Sequence, residues 1–167
     1  QANLYWTHPA TCQAAPRRRR QEQQGPVVKH TGTMTVTVGW GDCAPSGAVY
    51  YPNYFRWFDT AMWNFFDAAG WPLRQIEEAH GIVGLPLIET RANFKGPCRL
   101  HDILEIETCI TGFKRKTLDM THTLTNADAI AVQATDVRFW GIRHPDGSGR
   151  LKAAEIPAEV IEFFGAA

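Results

Sequence analysis

Residues 41–54, GDCAPSGAVYYPNY, connect a short alternating segment to the longest apolar segment of the chain. The glycines and Pro45 favour a tight loop, and Pro52 suits the first turn of a helix, where its missing N–H costs nothing. Tyr51 therefore lies at a predicted helix N-terminus, where free backbone N–H groups and the positive end of the helix dipole converge. Such a place can bind an anion, or the oxygen of a carbonyl group that gains negative charge.

The segment after this loop predicts a long helix over residues 53–69, because apolar side chains recur at helical spacing along two neighbouring stripes. A helix that is apolar over so much of its circumference should be buried. Gly70 and Pro72 are typical of a helix end. Residues 73–79 predict a short second helix, and residues 157–164 a last helical turn or two.

The other segments alternate polar and apolar residues, which is typical of half-buried strands. These segments are residues 33–40, 85–94, 103–111, 117–125 and 130–142. Turn residues near positions 112 and 127 separate neighbouring strands, which favours an antiparallel meander. The sequence thus predicts an α+β domain in which an antiparallel sheet of about five strands wraps around one long buried helix. An exposed edge of that sheet would need to be covered.

The charges are distributed unevenly along the 167 residues, although 17 basic and 17 acidic side chains balance overall. Residues 1–29 contain five basic residues and one acidic residue, which indicates a basic arm ahead of a domain at residues 30–167. The overall balance suggests no nucleic-acid or membrane partner. No apolar run reaches the length of a membrane span, and no secretory leader is visible, so we expect a cytoplasmic protein.

Several kinds of site are disfavoured by the residue pattern. The four cysteines and the scattered histidines lack the spacing of metal ligands, so we expect no metal site. The chain has no Gly-x-Ser-x-Gly motif, which argues against a serine hydrolase of that type. It also has no glycine-rich phosphate loop before a helix.

The loop and its surroundings resemble the 4-hydroxybenzoyl-CoA thioesterase family of hotdog-fold proteins. That family's pattern reads Gly-Asp-Cys-Asp-Pro-(Ala/Ser)-Gly, then Tyr-Pro-Asn-Tyr and a long helix. The likeness continues through residues 56–59, 81–84, 106–110 and 115–116, and runs over about residues 33–163. It implies a hotdog fold, a homodimer or homotetramer, and hydrolysis of an aromatic, 4-hydroxybenzoyl-like CoA thioester. CoA would be part of the substrate, so no separate cofactor is expected.

The resemblance also implies roles for individual residues. The backbone N–H of Tyr51 would polarise the thioester carbonyl, and Asp59 would lie near the acyl end of the substrate. A nearby crowd of aromatic side chains, between residues 50 and 58, would suit an aromatic acyl group. The CoA phosphates would be bound by a cationic cluster at a strand–turn–strand junction: Lys114, Arg115 and Lys116.

Ala44 is the one serious departure, since the family has its catalytic Asp at this position. Three explanations remain open: Ala44 is an introduced replacement for Asp, the protein uses another carboxylate, or it is an acyl-CoA-binding module without hydrolysis. Asp42 and Asp59 are the candidate carboxylates. Asp42 would otherwise cap the loop. Asp59, if buried among aromatics, would have a raised pKa, or it would pair with Arg56.

Overall fold

A computed structural model of the protein describes residues 29–165. Its helices and strands follow in chain order: β1 (Gly32–Thr37), α1 (Pro52–Ala68), α2 (Leu73–His80), β2 (Ile82–Gly84), β3 (Leu87–Phe94), β4 (Ile103–Phe113), β5 (Thr117–Asn126), β6 (Ala129–Phe139), β7 (Gly141–Arg143), β8 (Leu151–Ala153) and α3 (Ala158–Phe164). The basic arm predicted for residues 1–29 falls outside the described residues, apart from Lys29.

Five strands form one antiparallel sheet in the order β1-β4-β5-β6-β3. The predicted alternation of faces is confirmed on two of its interior strands, β4 and β5. On β4 and β5, alternate side chains are buried against α1 while their neighbours point away: Leu104, Ile106, Thr108 and Ile110, then Leu118, Met120, His122 and Leu124. Period-two burial on adjacent strands is what places one apolar face of the sheet under the helix.

The long helix α1 begins and ends one residue earlier than predicted, with Pro52 in its first turn as expected, and it crosses that face of the sheet. The N-terminal part of α1 packs into one core cluster with residues of all five strands. Its C-terminal part packs into a second cluster with α2 and α3. Gly70, with φ +84°, follows the helix in the left-handed conformation that glycine favours. The side of α1 turned away from the sheet is exposed and carries Asp59 and Trp63.

The strand predicted over residues 130–142 is in fact two strands. β6 ends at Phe139, and β7 joins a second sheet in the order β2-β7-β8. The chain changes sheet at Trp140, whose side chain is buried and whose backbone bonds Lys116 and Ala154. Similarly, β3 begins at Leu87 rather than at position 85.

Among residues 29–165, no helix is both long and apolar enough to cross a membrane.

Candidate active site

The loop before α1 is fastened to the helix through Asp42. Its Oδ2 accepts the Gly39 N–H at 2.9 Å, and its Oδ1 accepts a bond from the Arg56 guanidinium at 2.8 Å. Its backbone oxygen accepts the Tyr50 N–H at 2.8 Å and the Asn53 amide at 3.0 Å. Both carboxylate oxygens are thus engaged in structural bonds, which is the loop-capping role considered for Asp42.

Ala44 lies in a tight turn directly beside the helix start. Its N–H donates to the Ala48 oxygen at 2.8 Å, and its own oxygen accepts the Gly47 N–H at 2.8 Å. Gly47 has φ +80°, so a glycine suits this point of the turn. Because Tyr50 is bonded to Asp42, the turn is held next to the N-terminus of α1. The side chain at position 44 is a methyl group and supplies neither a nucleophile nor a base.

Tyr51 immediately precedes α1 and has helical backbone angles. Within residues 29–165, its N–H donates to no backbone or side-chain acceptor. The next residue is Pro52, which has no N–H at all. The Tyr51 N–H is therefore a free donor at the positive end of a 17-residue helix. A donor in this position can stabilise the negative charge that develops on a carbonyl oxygen under attack.

The aromatic side chains near the loop divide into two groups. Tyr54, Trp57 and Phe58 are buried in the core, so they are not free to contact a ligand in this chain. Burial and a contact with Cys98 raise the pKa of Tyr54, so its phenol stays protonated. Tyr50 and Tyr51 remain exposed and can face a substrate.

Asp59 lies two turns along α1, at the edge of an open pocket of about 290 Å³. Its side chain is 58% exposed and its Oδ1 accepts a bond from Arg138 at 3.0 Å. The expectation of a buried Asp59 is therefore wrong, and its partner is Arg138 rather than Arg56. Besides Asp59 and Arg138, the pocket is lined by α1 and by the chain from β2 to the start of β3: Met62, Trp63, Val83, Gly84, Leu85, Pro86 and Leu87.

A buried polar chain lies behind Asp59, and the sequence analysis did not find it. Arg138, 3% exposed, bonds the equally buried Asp136. Asp136 Oδ2 lies 3.5 Å from His122 Nε2, and His122 Nδ1 lies 2.9 Å from Thr108 Oγ1. The available signal was weak: a histidine at an apolar-facing position of β5, and two charges at alternate positions of β6.

Burial and charge act against each other at Asp136. Burial would raise the pKa of this carboxyl, but its contacts with His122, Thr90 and Arg138 outweigh that effect and lower the pKa to about 2. Asp136 is therefore ionised at neutral pH. The His122 ring also stacks on Phe58, with ring centroids 5.0 Å apart, which fixes the ring plane.

The predicted cationic cluster forms the turn between β4 and β5. Lys114 lies 3.6 Å from Asp119, and Arg115 lies 3.3 Å from Glu155, with both cations largely exposed. Lys116 is half-buried. Exposed ion pairs of this kind contribute little to stability, so these cations can leave their carboxylate partners and bind another anion.

The structure brings together only part of the predicted site. Ala44 and Tyr51 lie at the N-terminal end of α1. The backbone of the cationic turn bonds Trp140 and Ile156, which pack around the C-terminal half of the helix. A helix of 17 residues spans about 25 Å, so the predicted reaction centre and the cationic turn lie near opposite ends of α1 in one chain. Asp59 lies between them.

Comparison with known proteins gives consistent matches. A family model of the thioesterase-like superfamily matches residues 38–164. The 4-hydroxybenzoyl-CoA thioesterase of Pseudomonas sp. (strain CBS-3) is 37% identical in an alignment of 137 residues, which covers 78% of this chain and 95% of that protein.

Solved structures agree with the sequence matches. The structure of the same Pseudomonas enzyme has a TM-score of 0.72 at 36% identity, covering 80% of this chain and 99% of that one. A gentisyl-coenzyme A thioesterase has a TM-score of 0.65 at 27% identity, covering 79% of this chain and 98% of that one. These likenesses confirm the predicted α+β hotdog fold.

Proposed function

The chain belongs to the thioesterase-like superfamily, and on that premise we propose that it acts on acyl-CoA thioesters. In the reaction, water adds to the thioester carbonyl, the C–S bond breaks, and a carboxylic acid and CoA are released. A hydroxylated aromatic acyl group is the proposed substrate class, since the relatives include thioesterases for 4-hydroxybenzoyl-CoA and gentisyl-CoA.

The observation that carries this proposal is the free N–H of Tyr51 at the start of α1. A thioester oxygen bonded there would gain stabilisation as it becomes an oxyanion, from the N–H and from the helix dipole. A backbone donor does not depend on the identity of the side chain. This half of the machinery is therefore available in the protein as it stands.

The other half depends on position 44, beside that donor. An Asp at this position would attack the carbonyl or activate a water molecule, and Ala44 can do neither. Asp42 is a poor substitute, because both of its carboxylate oxygens are already bonded. Ala44 thus favours a second candidate function for the protein as it stands: binding of acyl-CoA without efficient hydrolysis.

Asp59 and its pocket are the proposed site for the distal part of the acyl group. The pocket walls are mainly apolar and suit an aromatic ring, while the carboxylate can accept a hydrogen bond from a ring hydroxyl. Asp59 thus contributes to substrate choice in this proposal, and it remains the second candidate carboxylate beside Asp42.

We propose that Lys114, Arg115 and Lys116 bind the CoA phosphates, and that the working protein is a homo-oligomer. Along a single α1, this cluster is remote from Tyr51, so two copies would together form one site. The free edge of β3, with exposed Leu87, Ile88 and Phe94, supports pairing with a second copy.

We also propose that the protein is located in the cytoplasm. The free thiols of Cys43, Cys98 and Cys109 support this, because the cytoplasm is reducing.

The test compares this protein with Ala44→Asp and with Ala44→Asn. The Asn side chain is similar in size to Asp but carries no charge. Thiol release from 4-hydroxybenzoyl-CoA and benzoyl-CoA is measured in the presence of EDTA, because no metal or cofactor is expected to be needed. Ala44→Asp should be at least about 10³-fold faster than the other two forms. Equal rates would exclude this role for position 44. CoA binding without turnover in all three forms would support the binding module.

A further inference from the structure

The buried chain Thr108–His122–Asp136–Arg138 has no part in the proposed hydrolysis, yet it ends at Asp59 in the acyl pocket. We propose that Arg138 is a positioning residue, anchored by Asp136 and His122, which orients the Asp59 carboxylate for selecting the acyl group. This inference rests on the proposed function, because it assigns the origin of substrate choice at the same site.

The contacts of Arg138 fix the guanidinium rather than merely neutralise it. Its Nε and Nη2 both donate to Asp136 Oδ2, at 3.2 and 2.8 Å. Its Nη1 donates to the backbone oxygen of Leu85 at 3.2 Å and to Asp59 Oδ1 at 3.0 Å. A planar fork held at three of these contacts has one orientation left, and that orientation presents Nη1 to Asp59. A lysine could supply the charge but not this geometry.

Asp136, which anchors Arg138, is in turn contacted by His122 in the interior of the protein. A buried guanidinium requires a counter-charge, and Asp136 supplies it because it stays ionised. His122 is fully buried and stacked on Phe58. Its Nε2 lies 3.5 Å from Asp136 Oδ2 without forming a hydrogen bond, and its Nδ1 lies 2.9 Å from the Thr108 hydroxyl. The Thr108 contact and the stacking on Phe58 therefore hold the ring beside Asp136.

The positions of Asp136, Arg138 and Asp59 decide which charged group faces the pocket. One guanidinium lies between two carboxylates, and it bonds Asp136 twice but Asp59 only once. Asp136 is buried and bonded, whereas Asp59 is exposed and its Oδ2 has no partner within residues 29–165. The carboxylate that faces the pocket is therefore that of Asp59. There it favours a neutral hydrogen-bond donor such as a ring hydroxyl, and it repels an acyl group that carries a carboxylate.

An ion pair with only a structural role would need no partner beyond Asp136 and Arg138. Asp136 and Arg138 lie two positions apart on β6 and would already neutralise each other inside the protein. Instead, Arg138 also reaches Asp59, on a different element and 79 positions away in the chain, at the mouth of a pocket. The chain thus connects the interior of the sheet to a ligand-accessible carboxylate.

The test measures binding of two thioethers that cannot be hydrolysed, 4-hydroxybenzyl-CoA and benzyl-CoA, together with CoA alone. The full-length protein is compared with Asp59→Asn, Asp136→Asn and Arg138→Lys, and with Asp128→Asn as a control on the exposed β5–β6 turn. We expect the unaltered protein and the control to prefer the hydroxylated ligand at least about tenfold. In the three other variants this preference should fall below about threefold, while the affinity for CoA stays within about twofold.

Loss of the preference at unchanged CoA affinity identifies a positioning role, since a general structural defect would weaken all three ligands together. The inference is overturned if Asp136→Asn and Arg138→Lys keep the preference that Asp59→Asn loses, or if the unaltered protein shows none. Should Asp136→Asn fail to fold, Arg138→Lys decides, because it retains the charge opposite Asp136. A protein that binds neither thioether nor CoA would contradict the proposed function itself.

Discussion

Gly32 lies so close to Phe65 that a Cβ atom on the glycine would be 2.7 Å from the Cα of the phenylalanine. Carbon atoms that are not bonded to each other prefer separations of about 3.5–4.0 Å. Gly32 begins β1 and pairs with Thr108 of β4, while Phe65 is fully buried on α1. The absence of a side chain at position 32 therefore sets how closely the long helix can approach the sheet.

We expect Gly32→Ala to lower the free energy of unfolding by about 3 kcal/mol, because helix backbone and strand would have to separate. Urea unfolding measures this change. Gly96→Ala is the matched control, since a Cβ there would meet nothing within 4 Å and the position does not require a positive φ. Equal midpoints for the two variants would show that the approach of α1 to β1 is not restricted by Gly32.

Asp136 should make the protein sensitive to acid. Its pKa in the folded protein, about 2, lies below its ordinary value of 3.8, so ionised Asp136 stabilises the fold above that ordinary value. This stabilisation, of about 2 kcal/mol, should disappear as the pH falls from about 5 towards 2. The free energy of unfolding, measured in urea at a series of pH values, should decline over that window.

The variant Asp136→Asn separates this effect from the general titration of surface carboxylates. It should be less stable at pH 7 by about 3 kcal/mol, because Arg138 loses its buried counter-charge. Its stability should also fall less steeply between pH 5 and 2 than that of the unaltered protein. Parallel pH profiles for the two proteins would show that Asp136 is not the group responsible.

Replacing Lys114, Arg115 and Lys116 together by Ala should weaken CoA binding about 10- to 100-fold, since charge-assisted bonds to phosphate are lost. The loss should shrink as salt is added, because salt screens exposed charges. Titration calorimetry with CoA and with dephospho-CoA identifies which phosphate is affected. Arg74→Ala, which removes an exposed, ion-paired cation on α2, is the control. Undiminished CoA affinity would exclude the cluster as the phosphate site.

Sequence patterns predicted the parts of this protein that depend on local order. The buried faces of β4 and β5 followed from alternation, and the start of α1 followed from Pro52. The pairing of Asp59 with Arg138 was not predictable in this way, because the two residues are 79 positions apart and meet only when α1 crosses β6. The break at Trp140 was also missed, since Trp140 continues the apolar pattern and leaves the sheet for tertiary reasons.

The hydrogen bonds of Asp42 allow two possible roles to be tested separately: holding the loop in place and acting as the catalytic base. Asp42→Ala removes the bonds to Gly39 and Arg56 but keeps the backbone bonds to Tyr50 and Asn53. We expect a loss of about 1 kcal/mol in stability, mainly from the Gly39 N–H, because the Arg56 pair is exposed.

The same change should cost less than about tenfold in kcat/KM when it is made in the Ala44→Asp protein, since the loop stays attached to α1. Thiol release from 4-hydroxybenzoyl-CoA measures this, with Asp128→Asn in the same background as the control. A loss of about 10³-fold, comparable to removal of a catalytic base, would instead assign the base to Asp42. In that case, any hydrolysis by the Ala44 protein should disappear with the same substitution.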